Sequence, residues 1–76
     1  MIATLFLVDL TQDDLSSQLG VVRMKAPPAV GSTLLLEGAI ADAAHEKGLG
    51  DTFQVSNVSH RVGYKHTLDV YMVAMP

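Results

Sequence analysis

The chain has 76 residues and no cysteine, which predicts a single domain and excludes both a disulfide framework and a thiolate metal site. Its formal net charge of -3 disfavours long-range attraction to the phosphates of nucleic acid. No run approaches the roughly 18 consecutive apolar residues that span a bilayer, so no transmembrane helix is expected. The apolar start of the chain lacks the features of a signal peptide, and we therefore expect a cytoplasmic location.

Hydrophobic residues make up 49% of the chain and aromatic residues only 5%. A domain this small has little interior in which to hide so much aliphatic surface. Without covalent or metal cross-links, the remaining means of stabilisation are dense packing and oligomerisation. The composition therefore predicts a homo-oligomer, with a dimer favoured.

The first predicted element is a strand over residues 2–10, in which apolar side chains occupy both alternating faces. This pattern predicts burial on both sides, either in the centre of a sheet or beneath a partner. The next segment, residues 11–20, fits two interpretations. Thr11 could cap a short helix that Gly20 ends, or the segment could be an irregular connection.

Residues 21–25 alternate in polarity and predict a half-buried strand, which Pro27 and Pro28 end because proline cannot donate to a sheet ladder. Gly31 provides the positive φ that a tight turn needs. Residues 32–37 then predict a second strand with apolar residues on both faces.

Residues 39–47 predict a short helix that is capped by Gly48. Residues 53–62 and 66–75 are both rich in β-forming residues and predict a hairpin around the turn at residues 63–65.

A register for this hairpin can be set by placing His60 opposite His66 and Val58 opposite Leu68. Strict alternation would then place Phe53 and Val55 on the face opposite to Val58, unless one extra residue lies near residues 56–57. A β-bulge there restores the phase. The result is one continuous apolar face, made by Phe53, Val55, Val58, Leu68, Val70 and Met72.

The turn and core positions of this part of the chain form a pattern of Pro28, Gly31, Leu34, Leu36 and Gly38, then Phe53, Val55, Val58 and His60, then Leu68 and Val70. The pattern loosely resembles that of small SH3-like barrels in bacterial proteins of unknown function, including those carried by phage or mobile gene cassettes. The resemblance covers roughly the second two-thirds of the chain, implies a fold and carries over no functional residue.

The fold class predicted is thus mainly β, with α+β as the alternative. We expect a small five-stranded, strongly bent antiparallel sheet or SH3-like barrel with one or two short helical segments.

The predicted hairpin tip is the one place where basic residues and an aromatic residue interleave. Small barrels that bind anions or single-stranded nucleic acid use such surfaces. The candidate ligand-binding residues are His60, Arg61, Tyr64, Lys65 and His66. The acidic balance of the whole chain disfavours nucleic acid as the partner.

Catalytic and metal chemistry have thinner support. His60 and His66 form only half of a site, because a catalytic zinc usually has three protein ligands. Ser59, His60 and Asp69 cannot form a hydrolytic triad, because Ser59 and His60 are consecutive in a strand and point to opposite faces. No catalytic residue, metal ligand or cofactor is therefore predicted, and a metal-assisted enzyme is the third of three hypotheses.

The leading hypothesis is a non-enzymatic interaction module or subunit that associates with itself, with a further protein partner left open. The surplus aliphatic surface of the two strands with apolar residues on both faces supports this hypothesis. Its predicted interface consists of Leu5, Leu7 and Leu35. The alternative is a small barrel that binds an anionic ligand or single-stranded nucleic acid at the hairpin tip.

Overall fold

The computed structural model describes residues 1–9 and 15–75, which form five strands and one helix. The strand order across the sheet is β2-β1-β5-β4-β3, and the sheet curls into a half-barrel. The prediction of a mainly β, five-stranded fold is confirmed. The elements are β1 (Ile2–Asp9), β2 (Leu15–Arg23), β3 (Thr33–Leu35), α1 (Ala39–Glu46), β4 (Thr52–Val62) and β5 (His66–Ala74).

The sheet is mixed because two of its three inner strands, β1 and β5, run parallel, from Ile2 beside Thr67 to Leu7 beside Met72. The other three pairings are antiparallel, as predicted. Periodicity identifies a strand without identifying its neighbour, so the direction of this pairing was not predictable from the pattern. The resemblance to SH3-like barrels stays a prediction.

Strand β1 covers nearly all of the predicted segment, but its two faces differ. Ala3 and Leu5 are fully buried, whereas Phe6 and Val8 on the other face are half-buried and Ile2 is exposed. The prediction of an inner strand is confirmed, because β1 lies between β2 and β5. Within one chain the core and the helix cover only one side of the sheet, and burial of the second face beneath a partner stays a prediction.

Strand β2 replaces the predicted helix or irregular connection from Leu15 onward, and residues 11–14 of that prediction lie outside the described residues. Leu5 pairs with Gly20 and Phe6 with Gln18, so Leu19 is an extra residue, a bulge. The bulge lets Leu19 pack against the core. Leu19 is four residues after Leu15, and this spacing is the one that suggested a helix.

Gly20 on β2 marks a close approach of the helix to the sheet. A Cβ atom built on Gly20 would lie 2.6 Å from Cδ1 of Ile40 on α1. A residue without a side chain at this position therefore lets α1 pack directly against β2.

The turn before β3 follows the prediction, since Gly31 has φ 90° and its N–H donates to the Val55 carbonyl over 2.8 Å. Strand β3 is shorter than the predicted residues 32–37. Leu36 already lies beyond its end, where its N–H donates to the Asp51 carbonyl over 2.7 Å.

Helix α1 agrees with the predicted residues 39–47 to within one residue. Gly48 has φ 77°, and its N–H donates to the His45 carbonyl over 2.9 Å, which ends the helix as predicted. Ala41 and Ala44 point into the core, so small side chains allow the helix to lie close to the sheet.

The β4–β5 hairpin and its bulge are confirmed, with Ser56 as the extra residue between Val55 and Asn57. The predicted register is wrong by two residues, because Val62 pairs with His66 across the turn and His60 therefore pairs with Leu68. A shift of two leaves every side chain on its face. The predicted apolar face is accordingly confirmed, and five of its six residues are fully buried.

The core lies between this face of the sheet and α1. Its buried residues are Ala3, Leu5, Leu36, Ala41, Ala44, Phe53, Val55, Leu68, Val70 and Met72.

Candidate functional site: the uncovered face and the hairpin tip

The side of the sheet opposite the core is uncovered. In the described parts of the chain, the only helix packs on the core side, and no strand lies across the other side. Strand alternation and pairing register place both apolar and polar side chains on this uncovered face. The apolar and charged ones are Ile2, Phe6, Val8, Val21, Leu35, Tyr71 and Val73, with Arg23, Arg61 and Asp69, and the uncharged polar ones are Thr4, Ser16, Gln18, Thr33, Thr52, Gln54, Asn57, Ser59 and Thr67.

An aromatic pair occupies the middle of the uncovered face. Phe6 and Tyr71 are neighbours in the β1–β5 register, and their rings stack with centroids 5.1 Å apart and an interplanar angle of 16°. Gln18 lies beside Phe6 and Asn57 beside Tyr71 in the register, and the exposed aliphatic side chains of Ile2 (43% accessible), Val21 (55%) and Leu35 (63%) lie farther out. The centre of this face is therefore an aromatic pair flanked by uncharged polar side chains.

A buried acid is neutralised on the same face. Asp69 is 7% exposed, and its Oδ2 accepts a hydrogen bond from Nε of Arg61 over 2.9 Å. Ser59 on β4 and Thr4 on β1 are its neighbours in the register. Because the carboxylate already has its cation, it adds no net charge to the surface around the aromatic pair.

We expect Arg61→Ala to lower the free energy of unfolding by about 1 kcal/mol, the upper end of the range for exposed ion pairs. The guanidinium side chain is 72% exposed, so solvent screens the pair, although the carboxylate is mostly buried. Urea unfolding followed by circular dichroism measures the loss. Lys65→Ala, at an exposed turn position, should change stability by less than about 0.5 kcal/mol. Equal losses in the two variants would contradict a stabilising role for the pair.

The hairpin tip does not bring its five predicted ligand-binding residues onto one surface. His60 and His66 lie on the side of the sheet that carries the core, whereas Arg61 points to the uncovered face and contacts Asp69. Tyr64 and Lys65 are exposed in the turn between the strands. The tip therefore divides into a histidine pair, a turn and an arginine that is already engaged.

The histidine pair is in direct contact. Nδ1 of His60 lies 2.8 Å from Nε2 of His66, with ring centroids 5.0 Å apart and planes inclined by 36°. Both residues are exposed. Among the described residues, no group of three histidine, aspartate or glutamate side chains is arranged to hold a metal ion.

The predicted interface leucines are not together. Leu5 is fully buried in the core and offers no surface to a partner, whereas Leu7 is half-buried and packs against the core from the same side of the sheet. The interface prediction is wrong for Leu5 for this reason. Leu35, by contrast, is exposed on the uncovered face.

Comparison of the chain with protein-family models, curated proteins and solved structures finds no significant match. The part of the chain that the structure describes contains no helix with the length and apolarity to cross a membrane. The arguments for function therefore rest on the geometry of the two surfaces.

Sequence reasoning missed the aromatic pair and the ion pair. The even spacing of Ile2, Phe6 and Val8 indicates that they share one face of the strand. Only the parallel pairing of β1 with β5 places Tyr71 beside Phe6. The contact of Arg61 with Asp69 follows from the observed register, in which Arg61 opposes Thr67 and is diagonal to Asp69.

Proposed function

We propose that this protein is a non-enzymatic interaction module that forms a homodimer through the uncovered face of its sheet. The observation that supports the proposal is the stacked Phe6–Tyr71 pair at the centre of a sheet face that no described element covers. Aromatic side chains at the centre of an apolar patch are the residues that most often dominate binding energy.

The size of the molecule is compatible with such an interface. Its two larger dimensions are 36 and 29 Å. A stable interface of standard size buries about 800 Å² on each partner, which a surface of this extent can supply.

A second copy of the chain suits this surface better than a charged partner does. A two-fold dimer brings the same patch of each subunit together, so the patch must complement itself. Most side chains on this face are apolar or uncharged polar, and these do so without a particular register of charges. Asp69 does not require a cation from the second copy, because Arg61 of its own chain neutralises it.

The experiment is light scattering coupled to gel filtration over a concentration series. The parent protein should give twice the chain mass of 8.1 kDa at about 100 μM, where even a complex of micromolar Kd is formed. Tyr71→Ser should raise the dimer Kd about 30-fold, the effect of losing a residue worth about 2 kcal/mol at an interface. Circular dichroism verifies that the variant is folded.

Tyr64→Ser is the matched control, since it removes the other tyrosine, which is exposed at the hairpin tip and not on the uncovered face. It should leave the dimer Kd unchanged. A parent that stays at 8.1 kDa at about 100 μM would refute the proposal. Equal weakening by both tyrosine substitutions would also refute it, because the interface would then not centre on Tyr71.

Salt provides an independent measurement. Each copy carries a formal charge of -3, so long-range repulsion opposes dimerisation and is screened by salt. A dimer held by apolar contact should be as stable or more stable when the salt concentration rises. Dissociation by salt would show that charge pairing, and not the aromatic pair, holds the copies together.

A further inference from the structure

The histidine pair at the hairpin tip has the geometry of two ligands to one metal ion. Nδ1 of His60 and Nε2 of His66 point at each other across 2.8 Å, which in the metal-free protein is a hydrogen bond. One ring donates its N–H and the other accepts with a lone pair. When the donating ring moves its proton to its other nitrogen through water, both nitrogens offer a lone pair.

The distance between the nitrogens places both within reach of one ion. Two nitrogens bound at about 2.0–2.1 Å stand roughly 2.9 Å apart at a ligand angle of 90°, and roughly 3.4 Å apart at the tetrahedral angle. The observed 2.8 Å lies within about 0.6 Å of both values. Because both side chains are exposed, small rotations of the rings are enough to direct both lone pairs at one ion.

The general order of affinities favours copper. For sites with nitrogen ligands it places Cu²⁺ above Ni²⁺ and Zn²⁺. A pair of imidazoles with water in the remaining positions also suits the tetragonal geometry of Cu²⁺.

The surroundings of the pair allow an ion to bind. Both histidines are exposed, so water can fill the remaining coordination positions and accept the remaining ring N–H groups. The nearest cation in sequence, Arg61, lies on the opposite side of the sheet, where Asp69 neutralises it. The two histidines are fixed relative to each other because adjacent hydrogen-bonded strands carry them.

We propose that His60 and His66 form a two-histidine site that binds Cu²⁺, with Ni²⁺ and Zn²⁺ bound less tightly. This site is separate from the uncovered face, and its existence does not depend on dimerisation.

Isothermal titration of the purified protein with Cu²⁺, Ni²⁺ and Zn²⁺ tests the proposal. His60→Ala and His66→Ala should each weaken Cu²⁺ binding about tenfold or more. Either change leaves one ligand and removes the chelate effect of two histidines held on adjacent strands. The double variant should lose little beyond either single variant, since one ion needs both nitrogens. The thermal stabilisation that Cu²⁺ gives to the parent should disappear in all three.

His45→Ala is the control, as His45 is an exposed histidine on α1, away from the hairpin. It should bind Cu²⁺ as the parent does. Unchanged Cu²⁺ affinity in the His60 and His66 variants would overturn the proposal, and so would losses that simply add in the double variant. Tighter binding of Zn²⁺ than of Cu²⁺ would overturn the assignment of Cu²⁺ to the site. Both substitutions are at exposed positions, and circular dichroism of the metal-free variants confirms that they fold.

Discussion

Phe53→Ala should lower the free energy of unfolding by about 3–5 kcal/mol, the usual cost of removing a buried aromatic ring from a core. Phe53 is fully buried on β4 and is the largest side chain in the core. A domain of this size has a total stability of only about 4–11 kcal/mol at the usual value per residue. Urea unfolding at a fixed protein concentration measures the difference, and we expect the variant to be partly unfolded at physiological temperature.

The control for Phe53→Ala is Tyr64→Ala, which removes an aromatic ring from a fully exposed position. It should change stability by no more than about 0.5 kcal/mol. A similar loss in the two variants would mean that Phe53 is not packed as the core requires. The contrast also tests the register, because the observed phase of β4 buries Phe53.

Ala44→Leu should lower the free energy of unfolding by about 1–3 kcal/mol, because extra methylene groups do not fit a filled core without shifting the backbone. Ala44 is fully buried on the side of α1 that faces the sheet. The close approach of Ile40 to Gly20 shows that this interface has little room to expand. Thermal and urea unfolding both report the change.

Ala39→Leu, on the exposed first residue of the same helix, separates packing from helix propensity. Leucine and alanine both favour helices, so this variant should stay within about 0.5 kcal/mol of the parent. Should Ala44→Leu prove neutral as well, α1 would have to lie farther from the sheet than the structure places it.

The second half of the fold could be predicted from the sequence because its signals are local. Alternation, a turn at residues 63–65 and one phase error at residues 56–57 define the hairpin and its bulge. Gly48 with its positive φ likewise marks the end of α1. The predicted register is two residues off because residues 63–65 all belong to the turn, so that Val62 pairs with His66. Alternation alone cannot distinguish registers that differ by two residues.

The first half depended on contacts between distant residues. Leu15 and Leu19 are spaced as in a helix, and only the long partner β1 and a bulge make the segment a strand. For the same reason the interface was predicted partly on the wrong side. Leu5 resembles any apolar strand residue until the position of α1 shows which face is inside.

The candidate sites were predicted to different extents. The proximity of His60 and His66 follows from the hairpin whether or not the register is two residues off, since the two positions are opposite in one register and diagonal in the other. Their facing nitrogens depend on side-chain rotamers, which periodicity does not contain. The pairing of Phe6 with Tyr71 needs the parallel neighbours, and no local signal encodes it.

The parallel contact between β1 and β5 also bears on how the chain folds during synthesis. These two strands are separated by more than half of the chain, so the middle of the sheet cannot close until β5 has left the ribosome. Until then β1 pairs only with β2, and a two-stranded unit is marginal in water. Such distant pairing predicts slow folding for a domain of this length and a nascent chain that benefits from a chaperone before release.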